Sequence, residues 1–228
     1  MKLLVMFSLL ATAAIAQTLQ GEFGRTYTRA GLEESTKVGK INLYLNSTFL
    51  RTGEGNYFFA GPGVGFGHGP LKVIFYAFGN SSVWRSEQSQ LDKDMESSRT
   101  DAEKTARYMG VAPGVKFMWE TKHLEAIAAF TQLYASSGRH ATIINPVEVM
   151  FQLPKHWKTG IMGEWSNLGE SELKAGPSIS YSYGKFTWFG GYLFGHRWDK
   201  AEETSRNPNG LNEVRGGMKL AFGGKEHD

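Results

Sequence analysis

The chain has 228 residues, a net charge of +3, no cysteine, 28 glycines and 7 prolines, with 15 Phe, 9 Tyr and 6 Trp. So small a positive charge argues against a nucleic-acid partner. The absence of cysteine leaves stability to packing or to a closed hydrogen-bond ladder, and the abundance of aromatics and glycine over proline favours strands over disorder.

The N-terminus reads Met1-Lys2, then a short apolar stretch over residues 3–15, with Ala14-Ile15-Ala16 before Gln17. A basic start, a short apolar core and a small-residue site predict a signal peptide over 1–16, cleaved near Ala16. The apolar stretch is too short for the ~20 residues of a spanning helix. Residues 17–37 alternate over part of their length (Leu19, Gly21, Phe23) and are read as an N-terminal periplasmic segment, a plug in a lumen or an extra strand.

From Lys40 onward a period of two dominates, the mark of strands whose successive side chains point to opposite faces. The predicted strands are 38–50, 57–66, 71–84, 107–119, 124–134, 141–153, 157–165, 173–183, 186–198 and 211–222, ten in all. All reach the roughly 9–11 residues that a tilted membrane strand requires. The connections alternate in kind: 67–70, 120–123, 154–156 and 184–185 are short, whereas the intervening ones, 85–106 and 199–210 above all, are mostly longer. Short turns on one side and long loops on the other are the asymmetry of outer-membrane barrels, the short turns being periplasmic. The fold class expected is therefore all-β, a closed antiparallel up-and-down transmembrane barrel over 38–222, with a periplasmic tail over 223–228. About ten strands are expected; twelve is the runner-up, the extra strand lying within 86–104.

The last strand carries the clearest signal. Val214, Gly216, Met218, Leu220 and Phe222 share one apolar face, and Glu213, Arg215 and Lys219 share the other. Arg215, Gly217, Leu220 and Phe222 resemble the C-terminal signal by which bacterial outer-membrane proteins engage the barrel assembly machinery, although residues 223–228 follow it. A descending last strand places both ends of the barrel in the periplasm.

Tryptophan prefers membrane interfaces. Trp84, Trp165 and Trp198 fall at strand ends beside the long loops, and Trp119, Trp157 and Trp188 at or near ends beside the short turns, so all are read as interface anchors. Apolar sets such as Ile41, Leu43, Leu45 and Phe49, or Ile143, Val147, Val149 and Phe151, read as lipid-facing. The opposite faces carry Lys40, Lys116, Glu125, Glu148, Lys158, Glu164, Lys174, Arg197, Arg215 and Lys219, which are read as lining a polar, net basic lumen. Pairing of Glu125, Glu148 and Glu164 with Lys116, Lys158 and Lys174 would close that lumen; an open path lined by fixed charges would select small solutes by sign and size, favouring anions.

No catalytic constellation emerges. His68, His123, His140, His156, His196 and His227 are scattered, and neither Ser136, Ser137 and His140 nor His196 and Asp199 form a hydrolase pattern. Asp92, Asp94 and Glu96 lack the glycine of a calcium loop. No cofactor, metal or enzyme activity is expected.

The segment 145–154, then Trp157-Lys158-Thr159-Gly160, Gly176-Pro177 and Tyr183-Gly184-Lys185, resembles the strand-turn-strand rhythm of outer-membrane transporters of the phenol-degradation-pathway type of family. The resemblance covers the C-terminal third and implies a porin-like role. The expectation is an outer-membrane protein of a Gram-negative bacterium, in contact with outer-membrane lipid, acting as a narrow channel or porin-like transporter. The alternatives are a structural or adhesive barrel with a closed lumen and binding loops, and a soluble secreted barrel holding an apolar ligand.

Overall fold

The computed structural model describes residues 16–24, 28–51, 55–85, 105–135, 140–167, 171–198 and 212–222. These form the strands β1 (Ala16–Gly24), β2 (Thr28–Val38), β3 (Ile41–Arg51), β4 (Gly55–His68), β5 (Leu71–Arg85), β6 (Thr105–Glu120), β7 (Leu124–Ala135), β8 (His140–Gln152), β9 (Trp157–Ser166), β10 (Ser171–Tyr183), β11 (Phe186–Trp198) and β12 (Glu213–Phe222). Each pairs antiparallel with its chain neighbours, and β1 pairs with β12, from Gln17 opposite Phe222 to Gly24 opposite Arg215. The sheet closes on itself and leaves no edge, so the ladder satisfies its backbone groups without water.

The main expectation of about ten strands is corrected to the runner-up of twelve. The two additional strands are β1 and β2, so residues 17–24 and 28–37 belong to the wall, as the extra-strand alternative has it but with two strands, and are neither a periplasmic segment nor a plug. Gln20, Glu22, Arg29, Glu33 and Glu34 dilute the apolar alternation there. The expected signal peptide, apart from Ala16, the suggested strand within 86–104 and the tail over 223–228 lie outside the described residues.

The connections on one side are all short, at 39–40, 69–70, 121–123, 153–156 and 184–185, whereas the other side has two long ones, 86–104 and 199–212, beside 25–27, 52–54, 136–139 and 167–170. Three of the first set open on a glycine in the left-handed region, Gly39, Gly69 and Gly184, with φ of 63, 57 and 56°, where a Cβ would be strained. At 153–156 two non-glycine residues, Lys155 and His156, take that conformation instead.

Strand β8 carries a bulge. Between Ile144 and Val147 it has two residues, Asn145 and Pro146, where β9 has only Glu164 and β7 only Ala129. One extra residue shifts the two-residue period, so Ile143 and Val147, read above as one lipid-facing set, lie on opposite faces. Val147, Val149 and Phe151 are exposed outside, whereas Ile143 is 7% exposed and packs inside. Pro146 has no N–H to give a ladder and is suited to such a break.

The outer face is an apolar belt. Leu45, Phe75, Phe117, Ile161, Phe194 and Val214 are all exposed, Val214 by 71%. A surface of that kind exceeds what a water-soluble monomer shows and matches what hydrocarbon requires. Facing inward instead are Tyr44, Leu50, Tyr57, Phe59, Ile74, Tyr76, Phe78, Ala112, Leu133, Ala141 and Ile143, which form one buried cluster along β3 to β8.

Candidate functional site

The lumen has two chemically distinct walls. Along β4 and β5 the Tyr76 and Phe78 rings stack at 4.9 Å between centroids, and Phe59 lies 6.3 Å from Phe78. Along β1, β9, β10 and β12 the inward positions carry charge. Sequence alternation shows the second wall and understates the first, because the aromatics on β3 to β5 sit on the face expected to be polar.

Arg215, on β12, is 3% exposed and sits among carboxylates. Its guanidinium donates to both oxygens of Glu164 across the lumen, at 3.0 and 2.9 Å, and to Glu213 at 3.1 Å. Glu22 on β1 lies 3.5 Å away. Lys174, on β10, reaches Glu172 at 2.8 Å, Glu213 at 3.1 Å and Glu164 at 3.9 Å. Asn145 in the bulge donates to Glu164 at 2.6 Å. Bidentate geometry and several partners per charge are what a buried ion cluster needs to offset its desolvation.

A second group spans the lumen between β2 and β6. Glu33 accepts from Tyr76 Oη at 2.7 Å, from Asn46 at 3.2 Å and from Lys116 at 3.3 Å. The remaining pairs are Lys158 with Glu125, and Lys219 with Glu148 at 3.7 Å. Of the pairings foreseen for closing the lumen, Glu125 with Lys158 and Glu164 with Lys174 occur. Lys116 instead meets Glu33, and Glu148 meets Lys219.

Lys40 is corrected: it stands exposed in the Gly39-Lys40 turn, because the left-handed glycine ends the strand one residue before it. Arg197 lies in β11 opposite Glu172. The two strands that the sequence reading left out of the wall bring Glu22, Arg29 and Glu33 into it, and Glu22 and Glu33 each meet a cation. Their signal was the inward parity of Glu22 and Glu33 once β1 and β2 are strands.

Trp119, Trp157 and Trp188 are exposed by 41 to 43% beside the short turns. Trp157 packs on Tyr181 at 4.8 Å and Phe186 on Trp188 at 5.6 Å, an outer aromatic rim over β9 to β11. Trp165 is half-buried at the opposite end, where Trp84 and Trp198 also lie near strand ends. Among the described residues no three His, Asp or Glu side chains come together as a metal site. His68, His123 and His156 stand at or next to short turns and His196 on β11. Asp92, Asp94, Glu96, Ser136, Ser137, Asp199 and His227 lie outside the described residues.

The packed side chains leave a cavity of about 300 Å³ between the two walls, lined by residues of β1 to β8 and by Lys219. A smaller one of about 110 Å³ lies against β7 to β12. Glu125 and Lys219 line both.

The chain is similar in structure to a membrane protein solved in work on in-meso crystallization, at 9% identity over 91% of this chain and 83% of that one, with a TM-score of 0.52. Lower-scoring likenesses include the KdgM porin in complex with disordered oligogalacturonate, at 9% identity over 91% of this chain and 99% of that one (TM-score 0.47). The Pseudomonas putida toluene transporter TodX is another, at 8% identity over 94% and 93% (TM-score 0.48). At such identities the likeness is one of fold, a closed membrane-type β-barrel. No protein-family model matches the chain, and no curated protein matches it.

Proposed function

We propose that the protein is an outer-membrane barrel that passes small solutes, a narrow porin-like transporter with its short turns in the periplasm. The observation that carries this reading is the unfilled volume inside the barrel: about 300 and 110 Å³, both lined by Glu125 and Lys219. A barrel whose interior served stability alone would have little reason to leave a chamber lined by both rings and charges. Passage requires the Lys158–Glu125 and Lys219–Glu148 pairs to part, so conduction is expected to be small and restricted to small solutes. The tryptophans at both ends support a membrane position with Trp119, Trp157 and Trp188 as anchors at one interface and Trp84, Trp165 and Trp198 at the other. Export then relies on a signal peptide cleaved near Ala16, and assembly on the Arg215 to Phe222 strand.

Single-channel recording of the refolded barrel in planar bilayers tests the reading. Small, discrete conductance steps are expected, and replacing Phe78 and Tyr76 by Ala should enlarge them. Absence of conductance from both the parent and the Y76A/F78A variant would reject transport. The interlocked cluster around Arg215 favours the second reading, a sealed structural or adhesive barrel whose long loops bind, and that reading would then stand. A soluble secreted barrel agrees poorly with the apolar outer belt.

A further inference from the structure

The larger cavity has a lining that specifies what fits in it. Its lining joins an apolar set, Phe59, Phe78, Ile127 and Ile143, to the cations Arg29, Lys116 and Lys219, of which Lys116 rises from β6, between the strands that carry Phe78 and Ile127, and Lys219 from β12. The carboxylates of the lining are engaged. Glu33 already accepts from Tyr76, Asn46 and Lys116, and Glu125 is taken up by Lys158. Lys116 meets Glu33 only at 3.3 and 3.4 Å. Lys219 has a 3.7 Å ion pair with Glu148 and a cation–π contact with Phe189 at 5.5 Å, neither of which uses its N–H groups in a hydrogen bond. An ammonium has three protons to give.

We propose that this cavity is a binding site for a small amphiphilic carboxylate, its head held by Lys116 and Lys219 and its hydrocarbon body laid on the Phe59–Phe78–Ile143 wall. A volume of about 300 Å³ holds roughly ten waters' worth of ligand, enough for a short-chain acid. The proposal deepens the transport reading by naming a solute class and rests on it, but binding is measurable without conduction.

The test is calorimetric titration of the detergent-folded barrel with hexanoate, and with acetate, hexanol and hexylammonium as probes that lack the body, the charge or the sign. Hexanoate should bind, and the other three should bind at least about tenfold more weakly. K116Q/K219Q should weaken hexanoate about ten- to hundredfold, the loss of charge-assisted hydrogen bonds, and F78A should weaken it while keeping the preference for the anion. Should the double variant not migrate as a folded barrel, K219Q alone is read, since its 3.7 Å ion pair makes Lys219 the less embedded of the two. Equal binding of hexanoate and hexylammonium, no binding of hexanoate, or hexanoate binding that survives the lysine substitutions would overturn the proposal. Binding without conductance would reject transport and leave the site; conductance without binding would do the reverse.

Discussion

Arg215 shows how one side chain ties distant parts of the chain together. Its partners Glu22, Glu164 and Glu213 come from β1, β9 and β12, so a single guanidinium links the closing seam to a strand three places away round the barrel. Removing it leaves Lys174 to compensate both Glu164 and the buried Glu213 and strips Glu22 of its 3.5 Å ion pair, which costs more than the pair itself is worth. We therefore expect R215M to lose about 3 to 5 kcal/mol of stability, read as a lower urea midpoint for loss of the heat-modifiable band. Tyr76 offers a milder case, because its hydroxyl gives a 2.7 Å hydrogen bond to the Glu33 carboxylate while its ring stays in the aromatic stack. Y76F keeps the stack and should cost about 1.5 to 3 kcal/mol by the same assay; an unchanged midpoint would mean that water replaces the hydroxyl.

At the scale of the element, the seam between β1 and β12 is the closure on which the ladder depends, and neighbouring glycines on β12 give opposite expectations. A Cβ on Gly217 would run into the Gly21 carbonyl and stand 2.5 Å from the Phe189 ring, whereas on Gly216 its nearest neighbour is the Phe189 carbonyl at 3.6 Å. G217V should fail to give a closed, heat-modifiable barrel and G216V should close normally; equal behaviour of the two would show that the seam gives way at little cost. The strands from β3 to β12 were legible because their outer residues alternate cleanly, and four of the short turns because Gly, Pro and Lys cluster there. Strands β1 and β2 were less so, since Gln20, Glu22, Arg29 and Glu33 point inward and Gly21 and Ala30 weaken the outer pattern. The inward turn of Ile143 was hidden for a different reason: its face is set by a bulge at Asn145 and Pro146, and periodicity read straight through the strand puts it on the wrong side. Pairs such as Glu33 with Lys116 join strands that are not neighbours, so their meeting depends on closure and strand number, which no local pattern contains.

For the whole molecule, the arrangement of the connections makes a claim about orientation that the chain is well suited to test, because it contains no cysteine. Single-cysteine variants therefore report one position each. With twelve strands both ends of the wall lie on the same side as the turns at 39–40 and 153–156, where Gln17 pairs with Phe222, the side that the proposed function puts in the periplasm. K40C, in the exposed Gly39-Lys40 turn, and K155C, in the 153–156 turn, should then react with a membrane-impermeant maleimide only after the outer membrane is permeabilised. I161C, outward on β9 and 60% exposed in the absence of lipid, should resist the same reagent before and after permeabilisation and react once the barrel is unfolded in detergent. The three positions discriminate between the architectures. A soluble barrel leaves I161C open to the aqueous reagent, because its apolar belt would have no lipid over it. An inverted barrel labels K40C and K155C in intact cells. Protection of Ile161 together with labelling of both turns only from inside the outer membrane is expected, since lipid covers the belt and the short turns fix which end faces the periplasm.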